Sequence, residues 1–165
     1  MKTFCSTTLI VVSLFVCSNA SQAQITEAKL NQVELFKQWI GNWKAEIDKD
    51  STFIMECKSF YNGYEFYLKI ETKGKIIFEQ KTLVGYDKAK DKFIEFAIHN
   101  ISSDIDFMAC WFTSAKRCEE FFLKDIPNPE KTTEKWVFEF KSPDLLIWTE
   151  IGNSKTTGTY TFHRE

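Results

Sequence analysis

Alternation of apolar and polar residues dominates the chain after Gly41 and predicts a series of β-strands. Trp136, Phe138 and Phe140, for example, alternate with three charged residues within residues 135–141. Side chains at alternate positions of a strand point to opposite faces, so this pattern is typical of a strand with one buried face. The pattern predicts ten strands, at residues 43–48, 52–61, 64–72, 75–86, 93–99, 105–112, 118–124, 135–141, 145–151 and 157–164.

A different periodicity precedes the strands and predicts one helix over residues 26–40. Thr26 is the predicted N-cap, and Gly41 ends the helix, as glycine commonly does. Apolar residues recur at helical spacing along one predicted face: Leu30, Val33, Phe36 and Ile40.

Short connections join the predicted strands. Asn62-Gly63 is a strong hairpin signal, because a type I′ turn requires positive φ at both central positions. No helix-length segment separates two strands, which excludes parallel crossover connections. The predicted fold is therefore all-β: a single antiparallel up-and-down barrel of about ten strands with a short N-terminal helix. A two-sheet sandwich is the alternative.

The N-terminus has the pattern of a secretory signal peptide. Lys2 precedes an apolar run at residues 9–16, and small and polar residues follow. Ser-Gln-Ala at 21–23 suits cleavage after residue 23, and Ser-Asn-Ala at 18–20 offers an earlier site. We therefore expect a signal peptide at 1–23, one barrel domain at 24–165, and a secreted or periplasmic protein. Lipid anchoring through Cys17 is disfavoured by the bulky residues before it.

Three cysteines follow the predicted signal peptide: Cys57, Cys110 and Cys118. An exported protein can form disulfides, and Cys110 and Cys118 flank a predicted turn across which they could form one. The other interpretation is that all three are small buried apolar side chains.

Composition and charge exclude several classes of protein. The chain has 165 residues, 16 Phe, 5 Trp and 5 Tyr, with a net charge of −2. So many apolar residues argue against disorder, and the absence of a basic excess argues against nucleic-acid binding. Two His and no Cys-x-x-Cys pair leave little material for a metal site. We expect no cofactor, no nucleic acid, no transmembrane segment, and a monomer or weak dimer.

The junction between helix and first strand carries a family resemblance. Gly41-Asn42-Trp43 gives Gly-x-Trp at the start of strand one, and Arg164 lies near the end of the last strand. This combination resembles the lipocalin and calycin superfamily. Leu83-Val84-Gly85-Tyr86-Asp87 is similar to a bacterial branch of lipocalin-like secreted proteins of largely uncharacterised function. The resemblance implies a barrel whose closure uses Gly41, Trp43 and Arg164, with the arginine packed over the tryptophan.

Haem-binding barrels of similar size carry a histidine near the C-terminus, which invites comparison with His163. The glycine-rich motif of those proteins is missing here. His163 also shares the parity of Thr159 and Thr161, opposite Tyr160 and Phe162, so we expect it to face solvent.

The inward parity predicts an aromatic interior with a few polar groups. Glu150 is the unusual member, and Arg164 or Lys155 could pair with it unless its carboxylate reaches water at the strand end. The candidate ligand-binding residues are Phe66, Phe78, Gln80, Phe96, Trp136, Phe138, Trp148, Glu150 and Tyr160.

This interior has two interpretations. A hollow barrel would bind a small apolar or amphipathic molecule. A barrel filled by its own side chains would serve as a structural or protein-interaction module. Catalysis is the least favoured function, because no nucleophile–base pair or metal cluster emerges; it would need Glu150 or His99 to meet a partner in an open site. We therefore expect no enzyme activity.

Overall fold

The computed structural model describes residues 29–128 and 131–165. Ten antiparallel strands form a closed barrel in which each strand pairs with its neighbours in the chain and the last pairs with the first. The strands are β1 (Gly41–Asp48), β2 (Ser51–Phe60), β3 (Gly63–Thr72), β4 (Lys75–Asp87), β5 (Lys92–His99), β6 (Ile105–Ser114), β7 (Arg117–Phe122), β8 (Glu134–Ser142), β9 (Leu145–Gly152) and β10 (Lys155–Arg164).

The predicted all-β class, the up-and-down order and all ten strands are confirmed. Strand boundaries differ from the prediction by at most two residues. Half-burial explains this agreement, because a strand with one face on the core must alternate in polarity. The predicted signal peptide lies outside the described residues.

The predicted helix over residues 26–40 is wrong in its bounds. Residues 29–31 are not helical; a single-turn helix, α1 (Gln32–Phe36), is followed by a 3₁₀ turn at Lys37–Trp39. Asn31 is the N-cap, and its side chain accepts a hydrogen bond from the backbone N–H of Glu34 at 3.2 Å. Thr26, the predicted cap, lies outside the described residues.

The buried face of α1 also differs from the prediction. Val33 is exposed, whereas Gln32 is buried and bonds to both backbone groups of Phe112 on β6, at 2.7 and 3.0 Å. Those two bonds pin the turn across the barrel end, and Phe36 and Trp39 enter the core from it. Among the described residues, neither helical segment has the length and apolar character needed to cross a membrane.

The turn between β2 and β3 lies one residue earlier than predicted. Phe60 pairs with Gly63, so Tyr61 and Asn62 form the turn, and Tyr61 has φ +52°. Gly63 has no positive φ. Its β-carbon would instead collide with the carbonyl oxygen of Val84 on β4, so glycine is required by close approach of the backbones.

Trp43 and Arg164 are register partners on β1 and β10. The guanidinium lies over the indole, with its central carbon 4.1 Å from the ring centroid. It donates hydrogen bonds to the carbonyls of Ile40 and Gln38, the latter at 2.9 Å. The predicted closure by Gly41, Trp43 and Arg164 thus has a geometric basis. The side chain of Arg164, on β10, contacts both the helical turn and β1.

Candidate functional site

The barrel interior contains two adjoining chambers. The inner one, of about 50 Å³, lies under the helical turn, and Phe36 and Trp39 form part of its wall. The outer one is larger, about 270 Å³. The two chambers are adjacent, because four residues belong to both walls: Leu68, Gln80, Glu120 and Trp148.

The wall of the outer chamber is mainly apolar and includes five aromatic side chains. Trp148 belongs to the walls of both chambers, and the distance between ring centroids is 5.1 Å to both Phe53 and Phe138 and 6.3 Å to Tyr160. These are edge-to-face or tilted contacts, which aromatic pairs favour. The residues found only in this wall are Phe53, Ile70, Phe78, Met108, Trp136, Glu150 and Tyr160.

The structure brings together all but one of the predicted ligand-binding residues. The two walls contain Phe66, Phe78, Gln80, Trp136, Phe138, Trp148, Glu150 and Tyr160. Phe96 is the exception, and its predicted inward orientation is wrong. Phe93, Glu95 and Ala97 are the buried positions of β5, so Phe96 has the outward parity and packs against the exposed Phe107.

Sequence reasoning missed the two buried carboxyl groups of the interior, Glu95 on β5 and Glu120 on β7. Each is 8% exposed and lies in the wall of the inner chamber. The two carboxyl groups interact across β6, which favours the state with a proton on one of them. The signal that could have found Glu95 is its position between Phe93 and Ala97 on one parity.

Burial controls the ionisation of this pair. Desolvation raises the pKa of Glu95, and desolvation together with the nearby charge of Glu95 raises the pKa of Glu120 well above its ordinary value. Glu120 is therefore the partner that keeps its proton and donates it to Glu95. Among the described residues no Lys, Arg or His lies in either chamber wall to neutralise the pair.

Glu150 lies in the wall of the outer chamber and is half-buried. Burial raises the pKa of its carboxyl group. Neither suggested partner is placed to pair with it: Lys155 is exposed, and Arg164 lies at the opposite end of β10, 3.6 Å from Asp144. Gly158 faces Glu150 across the ladder, and a β-carbon there would lie 2.8 Å from the carboxylate.

The candidate disulfide between Cys110 and Cys118 is not formed. Cys57, Cys110 and Cys118 are all buried free thiols. Cys110 pairs with Glu120 and Cys118 with Phe112, so the two cysteines are offset by two residues rather than directly opposed. Burial raises the pKa of Cys57 and of Cys110, which keeps these thiols protonated and unreactive.

Several polar groups in the chamber walls have specific environments. Gln80 donates to the hydroxyl of the buried Thr82 at 3.0 Å. The indole N–H groups of Trp39 and Trp148 are buried and have no acceptor among the described residues. Outside the chambers, His99 and Asp106 form a pair at 3.2 Å, and His163 is exposed as expected.

Comparison with known proteins adds no relative: no family model matches the chain, and no curated protein matches it.

Proposed function

We propose that this protein is an exported, lipocalin-like binder of a small apolar or amphipathic molecule. The observation that carries the proposal is the outer chamber of about 270 Å³, lined mainly by aromatic and aliphatic side chains. Small-molecule sites are concave, mainly apolar, and start at about 300 Å³, so this chamber is slightly smaller than the smallest typical sites. A compact ligand therefore fits the proposal better than a large one.

The chamber offers both burial and orientation to a ligand. Removing apolar ligand surface from water contributes roughly 25 cal/mol per Å². Gln80 and Glu120 lie where the two chambers meet, and Glu150 lies in the outer wall. An amphipathic molecule would place its apolar part between Trp148 and Phe78 and direct its polar end towards these groups.

One sequence feature supports export, and one structural feature supports membership of the lipocalin-like group. Residues 1–23 have the three-part pattern of a secretory signal. The closed barrel with Arg164 stacked on Trp43 is the arrangement that the Gly-x-Trp resemblance implies.

We propose binding and not catalysis. The buried Cys110 has a raised pKa, which favours the thiol over the nucleophilic thiolate. Glu95 and Glu120 line the same inner chamber, and the only described thiol in its wall is this protonated one.

A second candidate function, a protein-interaction module, has one observation in its favour. The outer face of β4, β5 and β6 carries neighbouring apolar side chains: Leu83, Phe96, Phe107, Ile98 and Ile105. Of these, Phe107 is 50% and Ile98 is 52% exposed. Exposed apolar patches often mark interaction sites. This surface would function independently of the chambers, so variants inside the barrel separate the two functions.

A thermal-shift titration with 1,2-decanediol, a neutral amphiphile, tests the binding function. The melting temperature of the wild type should rise with diol concentration. Ile70→Trp places a third indole in the outer chamber, beside Trp136 and Trp148, and should remove the shift, whereas Ile98→Trp adds the same side chain outside and should keep it. Absence of a shift in the wild type, or an equal shift in Ile70→Trp, would reject the proposal.

A further inference from the structure

The charged residue types in the walls of the two chambers are all acidic. Their walls contain three carboxyl groups, those of Glu95, Glu120 and Glu150, and no Lys, Arg or His among the described residues. Glu95 and Glu120 are buried, and neither forms an ion pair with a described cationic side chain, unlike the neighbouring Glu119, which pairs with Arg117 on the outer face. Buried acidic groups are normally matched by a positive partner. Among residues 29–128 and 131–165, neither Glu95 nor Glu120 has such a partner.

A second, independent observation also indicates an occupant. Trp39 is 4% exposed and lies in the wall of the inner chamber, and its indole N–H has no acceptor among the described residues. The indole N–H of Trp148, in the wall of both chambers, is also without an acceptor. A buried donor without a partner costs free energy, and native proteins usually satisfy it. A bound molecule carrying an acceptor atom would satisfy these donors.

We propose that the junction of the two chambers recognises a protonated organic amine that has an apolar tail and a hydrogen-bond acceptor beside the amine, as in an amino alcohol. The ammonium group lies in the inner chamber against the carboxyl groups of Glu95 and Glu120, and the tail occupies the outer chamber. This inference rests on the proposed binding function and names its ligand class.

An organic cation suits these surroundings better than a metal ion. The described residues contain no group of three His, Cys, Asp or Glu side chains arranged for a metal. The walls instead supply aromatic faces, which attract organic cations, and apolar area for a tail. Charge-assisted hydrogen bonds from an ammonium to carboxyl oxygens are among the stronger ones in proteins.

Binding of an ammonium group changes the protonation of the pair. Without ligand, a proton on one carboxyl group holds Glu95 and Glu120 together; a cation at the same place stabilises both carboxylates and releases that proton to water. The titratable groups that face the pair are the thiols of Cys57, Cys110 and Cys118, and burial raises the pKa of Cys57 and of Cys110, which keeps those two protonated. Release of a proton on binding is therefore a direct readout of the site.

Isothermal titration calorimetry with three matched probes tests the proposal. The probes are 2-amino-1-decanol, 1,2-decanediol, in which hydroxyl replaces ammonium, and 2-hydroxydecanoate, which is anionic. The wild type should bind the amino alcohol at least about tenfold more tightly than the diol, and the anion most weakly. Titrations in buffers of different ionisation enthalpy should show proton release with the amino alcohol and none with the diol.

The double variant Glu95→Gln/Glu120→Gln should bind the diol normally and lose the preference for the amine. Glu119→Gln, the matched control on the outer face of the same strand, should keep it. Equal binding of amine and diol to the wild type, or a preference that survives the double variant, would overturn the amine site while leaving the binding function intact. Binding of none of the probes would overturn both. If the double variant fails to fold, the proton-release measurement on the wild type decides.

Discussion

The guanidinium of Arg164 occupies the space that a β-carbon on Gly41 would need. Such a carbon would lie 2.5 Å from Nη1, and Gly41 has φ +133°, a conformation that other residues avoid. The same arginine donates to the carbonyl of Pro143 at 2.8 Å and stacks on Trp43. Gly41 and Arg164, both part of the sequence resemblance, therefore form one contact. Because Gly41 has no side chain, the guanidinium of Arg164 can lie where it helps to close the barrel.

Substitution of Gly41 should therefore destabilise the fold strongly. Gly41→Ala introduces backbone strain and displaces the guanidinium from its acceptors, which together cost about 3 kcal/mol or more. Gly74→Ala is the matched control, because Gly74 also has positive φ, +73°, but has open space around it; it should cost about 1 kcal/mol. Urea unfolding of both variants measures the difference. Equal losses would mean that the contact with Arg164 contributes nothing.

The buried carboxyl pair should make stability depend on pH in a defined direction. The folded pKa of Glu120 is above its ordinary value of 4.5, so its contribution is fully present below about pH 4.5 and is lost as pH rises through the folded pKa. Ionisation of the buried Glu120 carboxyl group at high pH therefore costs stability. Glu120→Gln removes this cost, and the new amide N–H can still donate to Glu95. We expect the variant to be more stable than the wild type by roughly 1–3 kcal/mol at pH 8 and nearly equal to it at pH 4.

Urea unfolding at these two pH values checks the prediction. Glu119→Gln serves as control: its carboxylate pairs with Arg117 and Lys135 on the outer face, so its loss should be slightly destabilising at pH 8. A Glu120→Gln variant that is less stable than the wild type at pH 8 would show that the carboxyl group of Glu120 is ionised and satisfied in the folded protein.

The thiols should be reduced and protected in the folded protein. Cys57, Cys110 and Cys118 are 0–3% exposed, and a native thiol must await an opening of the barrel before it meets a reagent. Labelling with a maleimide, mapped by peptide mass spectrometry, should be on the order of 100-fold slower in native protein than in urea. Reducing agent should leave the melting temperature unchanged. A Cys110–Cys118 peptide pair lacking two hydrogens would contradict the free-thiol assignment.

The strand series was predictable because the barrel has one buried face throughout. Polarity then alternates along each strand, and Trp136, Phe138 and Phe140 illustrate it on β8. The turns were predictable for the same reason, because each lies where the alternation breaks. Gly63, however, is required by its close approach to Val84 and not by a positive φ.

The interior was less predictable, and β5 explains why. Its outward face carries Ile94, Phe96 and Ile98, which are as apolar as its inward face, so hydrophobicity alone assigned Phe96 to the wrong side. When both faces of a strand are apolar, the alternation of residues does not show which face is buried. An error of one residue then moves every side chain to the other face. The same error concealed Glu95. The predicted helix was too long because two contacts decide where it begins. Asn31 caps it, and Gln32 bonds to Phe112, 80 residues further along the chain; local periodicity indicates neither contact.

The claim that the barrel holds a small molecule in its outer chamber is tested most directly by native mass spectrometry of the protein purified from the cells that make it. The wild type should carry a non-covalent small-molecule mass that is lost on denaturation, and Ile98→Trp, altered only on the outer surface, should carry it too. Ile70→Trp, which fills the chamber, should be free of it. Wild-type protein without an adduct, or an adduct retained by Ile70→Trp, would contradict the account.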